Sequence, residues 1–128
     1  MDFTERLDLY LEGGMIDEND VQDINNIIAM FKDEYGVTLL EENADTFIAH
    51  LCAAYSRLKS GEDVEELPDV VLDEVRALDS WPTSLKILDR VMAVTHNPLN
   101  ETEQGYALLH INNLIARLQE TGEWHAGE

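Results

Sequence analysis

Apolar residues recur at spacings of three and four along most of the chain, and Gly, Pro or acidic runs interrupt them where helices should end. Phe3, Leu7, Tyr10 and Leu11 share one face of a short segment over residues 3–12, closed by Gly13-Gly14. Asp17 is placed to cap a second helix, with Glu18 and Asp20 in its first turn, favourable to the helix dipole. Its stripe is Val21, Ile24, Ile27, Ile28 and Phe31, and Tyr35-Gly36 ends it. A third helix starts at Thr38 or Glu42, with Thr38 and Glu41 spaced as a capping box. It carries Leu40, Ala44, Phe47, Ile48, Leu51, Ala54, Tyr55 and Leu58 before stopping at Lys59 and Gly61.

Residues 62–68 form an acidic loop ending in Pro68, and a weaker helix over about 69–78 rests on Val71, Leu72, Val75 and Leu78. Ser80 is spaced to cap a fifth helix with Pro82 in its first turn and an apolar side of Trp81, Leu85, Leu88, Val91 and Met92. His96-Asn97-Pro98 breaks it. Asn100 then caps the last helix, with Glu103 completing a capping box, and Leu108, Ile111, Leu114, Ile115 and Leu118 line its core face up to Gly122. No segment alternates with period two over a strand length. The pattern predicts an all-α bundle of five or six helices in one domain spanning residues 1–128, with a tail over 123–128 expected to fray.

Composition narrows what such a bundle can do. An apolar share of 45% suits a folded core, yet 27 acidic residues against 8 Lys and Arg leave a formal charge of −19. Nucleic-acid binding needs a basic footprint that no stretch supplies, and an anionic membrane surface would repel the chain. Basic protein partners are favoured instead. The single cysteine, Cys52, falls within an apolar helix and reads as a buried thiol rather than a nucleophile. An acidic N-terminus without a signal-peptide pattern and the lack of long apolar runs predict a cytoplasmic protein.

Two stretches carry the candidate chemistry. Phe47-Ile-Ala-His50 leads to Arg57-Leu58, and Tyr106-Ala-Leu-Leu-His110 leads to Arg117-Leu118, so each histidine has an arginine seven residues on. Seven residues are two helical turns, which places Glu103, His110 and Arg117 within about 20° of one another on one face, each about 10 Å from the next. Each histidine borders an apolar stripe, partly buried and within reach of solvent. One such residue alone is most often a satisfied core-boundary imidazole; two with matched arginines suggest a shared role. A neutral imidazole can attack an activated phosphoryl group, and the roughly two negative charges gained could be held by an arginine. Arg57 and Arg117 lie two turns from their own histidines, too far for an easy contact within one helix, and more readily serve a neighbouring helix, a partner chain or a surface ion pair.

His96 and His125 are weaker candidates, and one cysteine with four scattered histidines offers no metal-ligand spacing. No cofactor motif, phosphate loop or constellation of acid, base and nucleophile is present, so an enzyme is not expected.

The stretch Phe47-Ile-Ala-His50-Leu-x-x-Ala-Tyr55-x-Arg57-Leu58-x-x-Gly61 resembles the first histidine motif of the PTS regulation domain, or PRD, family. Leu99-Asn-Glu-Thr-Glu103-x-Gly105-Tyr106-x-x-Leu109-His110-Ile111 resembles the second, and the likeness covers roughly residues 16–120. The resemblance implies a helical bundle that dimerises and whose histidines are phosphorylated by the phosphocarrier protein HPr or a sugar-permease component. By that match His50 and His110 are the acceptors, with Arg57, Arg117, Glu103 and Tyr106 in support. Family regulators usually carry two copies behind a nucleic-acid-binding module. One copy without such a module implies a stand-alone regulatory domain acting through protein contacts. A non-phosphorylated helical adaptor is the main alternative. A two-component phosphotransfer protein is disfavoured because neither histidine is followed by Lys-Gly.

Overall fold

The computed structural model describes residues 1–124, and among these every regular element is helical. The order is α1 (Thr4–Glu12), α2 (Glu18–Tyr35), α3 (Glu41–Ser60), α4 (Asp69–Arg76), α5 (Trp81–Val94) and α6 (Glu101–Glu120). Helix α6 is the hub: it packs most extensively on α3, then on α5, and also holds α4. Helix α2 closes the other side against α5 and α3, and α1 leans on α2. Ile24, Ile27, Phe31, Ile48, Tyr55, Ile87, Ile111, Ile115 and Leu118 are sealed between these layers. Phe31 meets Phe47 edge-on at 5.9 Å between ring centroids, joining α2 to α3.

Local chemistry explains most boundaries. Asp17 accepts from the Asp20 backbone N–H while the Asp20 carboxylate accepts from the Asp17 N–H, a reciprocal cap on α2. Asn100 accepts from the Glu103 N–H at 2.8 Å and so caps α6 as its spacing predicts. Helices α2 and α3 end at Gly36 and Gly61, whose φ of 68° and 74° lie in the left-handed region. A Cβ on Gly36 would meet no atom within 4 Å, so a side chain there is opposed by the backbone dihedral alone. Gly36→Ala is therefore expected to lower stability by about 1 kcal/mol in urea unfolding. An unchanged unfolding midpoint would contradict the left-handed cap.

Several expected details differ. The α3 cap is not Thr38 with Glu41: Asn43 folds back to accept from the Leu40 N–H at 2.7 Å, and Ala44 departs from helical geometry at φ −137°. Ser80 does not cap α5, because its hydroxyl donates to Asn112 Oδ1 across the α5–α6 contact. The buried side of α5 is Ser84, Ile87, Leu88 and Val91, leaving Leu85 and Met92 exposed. Burying Ser84 is tolerable since its hydroxyl donates to the Ser80 carbonyl at 3.0 Å. Leu78, too, is exposed, beyond the end of α4. The tail expectation fails at Glu123 and Trp124: Trp124 is buried and stacked on Tyr35 at 5.5 Å, and Glu123 accepts from Asn43. The rest of that segment, His125 included, lies outside the described residues.

Candidate functional site

The α3–α6 contact brings the two histidines face to face. Their rings stack with centroids 3.5 Å apart and planes 21° from parallel. His50 is exposed and His110 half-buried. No ring nitrogen of either makes a hydrogen bond within the described residues. Desolvation lowers the His50 pKa, helped by the nearby Arg57 charge and opposed by Glu103. His110 falls further, to about 4, through desolvation and the adjoining His50. Both rings are thus neutral near pH 7, and each offers an unprotonated nitrogen.

The pair sits beside a small cavity of about 10 Å³, whose wall includes Phe47, Arg57, Leu99, Glu103 and Tyr106. That is room for roughly one water molecule. Arg57 crosses from α3 to α6 and donates from Nε and Nη2 to the two Glu103 carboxylate oxygens at 2.7 and 2.9 Å. The Glu103 side chain is only 3% exposed. Its expected use as the second half of a capping box is overturned: two charge-assisted bonds to a guanidinium outcompete one backbone N–H. The Glu103 charge and hydrogen bonds hold the Arg57 pKa above its ordinary value.

The remaining expected supports are divided. Tyr106 lines the cavity with its ring, while its hydroxyl donates to the Glu65 carbonyl at 2.6 Å and pins the acidic loop. Arg117 is not part of this cavity. It donates to Asp45 at 2.8 Å and to the Glu42 carbonyl, on the margin of a second cavity of about 240 Å³ that reaches the other side of His110. Cys52 is buried, and desolvation pushes its thiol up to about 12, well out of the nucleophilic range.

A second polar cluster escaped the sequence reading. Asp20 and Asp23, both fully buried, fasten α2 to α3 and to the α5–α6 loop. Asp23 accepts from the His96 and Asn97 backbone N–H groups, from Asn97 Nδ2 at 2.7 Å, and lies 3.0 Å from His96 Nδ1. Asp20 accepts from Asn97 Nδ2 and pairs with Lys59. A signal was present: Asp20 and Asp23 fall at core spacing with Ile24, Ile27 and Phe31, where an acid needs a partner. Among the described residues no three His, Cys, Asp or Glu side chains gather as a metal site.

The α3–α6 contact of this helical bundle thus sets two imidazoles side by side, one of them exposed. The family model for the PRD domain matches residues 25–114, and the chain belongs to the PRD domain family. PRD domains are regulatory, tied to the sugar phosphotransferase system. The chain is also similar to the uncharacterized protein YhfY of Escherichia coli strain K12, 23% identical over 109 residues, which span 85% of this chain and 91% of YhfY. No solved structure matches it. No helix among the described residues is long and apolar enough to cross a membrane.

Proposed function

We propose that this chain is a cytoplasmic regulatory domain whose His50–His110 pair accepts phosphate from HPr or a sugar-permease component. The signal is then read through protein contacts or a rearranged homodimer. The observation carrying this reading is the stacked pair itself: two rings whose nitrogens make no hydrogen bond among the described residues, one ring exposed. In the transfer, the lone pair of an unprotonated ring nitrogen attacks phosphorus in the donor's protonated phosphohistidine. The donor's P–N bond breaks and its electron pair returns to the donor ring. The acceptor leaves as a phosphoimidazolium, which gives its remaining N–H proton to solvent. His50, the more exposed ring, is the first acceptor, and His110 holds its face. The formal charge of −19 favours partners that present a basic surface, whose approach it would accelerate. The bundle is read as one domain, with its family-like part over about residues 16–120.

The test is incubation with the phosphoenolpyruvate-fed carrier chain, followed by intact mass measurement. One acid-labile phosphoryl group is expected on the wild type, and His50→Gln should lower the labelling by tenfold or more, about 1.4 kcal/mol or greater in transfer free energy. Absence of label beside a labelled family member would leave a helical adaptor whose histidines only pack.

A further inference from the structure

We propose that a phosphoryl group on His50 takes Arg57 away from Glu103, making this α3–α6 ion pair the contact that phosphorylation breaks. The inference rests on the phosphoacceptor reading above. Space is the first argument. His50, Arg57 and Glu103 border one cavity, so a group carried by His50 on that side meets the ion pair. The Glu103 carboxylate fills the guanidinium fork that a phosphate beside His50 would need.

Charge is the second. A phosphoryl group brings about −1.5 to −2 charges and three acceptor oxygens, against one charge and two oxygens on Glu103. Arg117 cannot substitute, since it is held by Asp45 and the Glu42 carbonyl on the margin of the other cavity. Arg57 is a quarter exposed and free to swing, whereas Glu103 is enclosed, so the arginine is the partner that moves.

The consequence falls on the start of α6. Glu103 lies in the first helical turn, next to the Asn100 cap, and a sealed carboxylate without its counter-charge is unstable there. One turn on, Tyr106 holds the Glu65 carbonyl, and the Gly105 backbone packs under Leu67 and Leu72. Loosening this turn therefore releases the 62–68 loop and α4, whose packing partner is α6. Glu103 is the resting occupant of an anion seat, and phosphate is its competitor.

Phosphoramidate separates this inference from its foundation, because it phosphorylates exposed imidazoles without a carrier. The imidazole lone pair forms the new P–N bond, the donor's P–N bond breaks, and ammonia leaves with the proton. After labelling of the wild type, the Arg57 Nε–Hε resonance should shift and gain coupling to 31P, and His50→Gln should show neither change. Glu103→Gln, relieved of the competing charge, should shift the phosphoryl equilibrium with the carrier toward this chain by about tenfold. Label on His50 with an unmoved Arg57 resonance would overturn the exchange and leave the carrier reading intact. A moved resonance with phosphoramidate but no label from the carrier would do the opposite. Failure of phosphoramidate to modify His50 would overturn both.

Discussion

Asp23→Ala is expected to cost about 3–4 kcal/mol of folding stability, the largest single loss outside the apolar core. The carboxylate is completely buried, and its removal strands the backbone N–H groups of His96 and Asn97 along with the Asn97 amide. Those donors fix the turn that delivers α6 to α3, so the loss should propagate to the histidine pair. Burial pushes the Asp23 carboxyl up, but hydrogen bonds from His96 and Asn97 more than offset this and its pKa ends below the usual range. A depressed acid stabilises above its unfolded pKa, and that stability goes as pH falls through the folded pKa. Urea unfolding near pH 7 measures the mutational loss. A value under about 1 kcal/mol would mean that the loop closes without the carboxylate.

Acid sensitivity from the histidine pair comes at higher pH. His110 has a folded pKa of about 4 against an ordinary 6.5, so the unfolded chain binds a proton that the folded chain refuses. Stability is then full above about pH 6.5 and declines as pH falls toward 4. Discounted for partial exposure, the loss is on the order of 2 kcal/mol by about pH 4.5. His50, Arg57, Glu103 and Tyr106 border the same cavity as the ring, and Arg117 borders the other. Asp23, Asp17, Glu34 and Asp45, with their lowered pKa values, keep their contributions there. Urea midpoints measured between pH 7 and 4.5 should fall for the wild type and fall less for His110→Gln. Parallel curves for the two would show that His110 is protonated in the folded state.

How much was legible differs from helix to helix. On α6 the Leu108, Ile111, Leu114, Ile115, Leu118 stripe is buried as its spacing predicts, and Asn100 caps it. On α5 two stripes compete, one through Leu85 and Met92 and one through Ser84 and Ile87. Only the positions of α2 and α6 decide that the second turns inward. Glu103 sits at ideal capping-box distance from Asn100 yet bonds Arg57, because a capping pattern cannot register a guanidinium arriving from another helix. Asp20 and Asp23 hid for a related reason: in a chain this acidic, two more carboxylates read as solvated surface until partners are seen around them.

By itself the sequence determined the helices, their ends where a cap or glycine is local, and which two imidazoles carry the family's motifs. These are properties of neighbours within one or two turns, where backbone geometry converts spacing directly into position. The tertiary structure alone decided that His50 and His110 stack, that Arg57 answers to Glu103 while Arg117 goes elsewhere, and that one ring stays open to solvent. Contacts between helices depend on how each rotates and slides to fill a shared core, and no single helix's pattern encodes that adjustment.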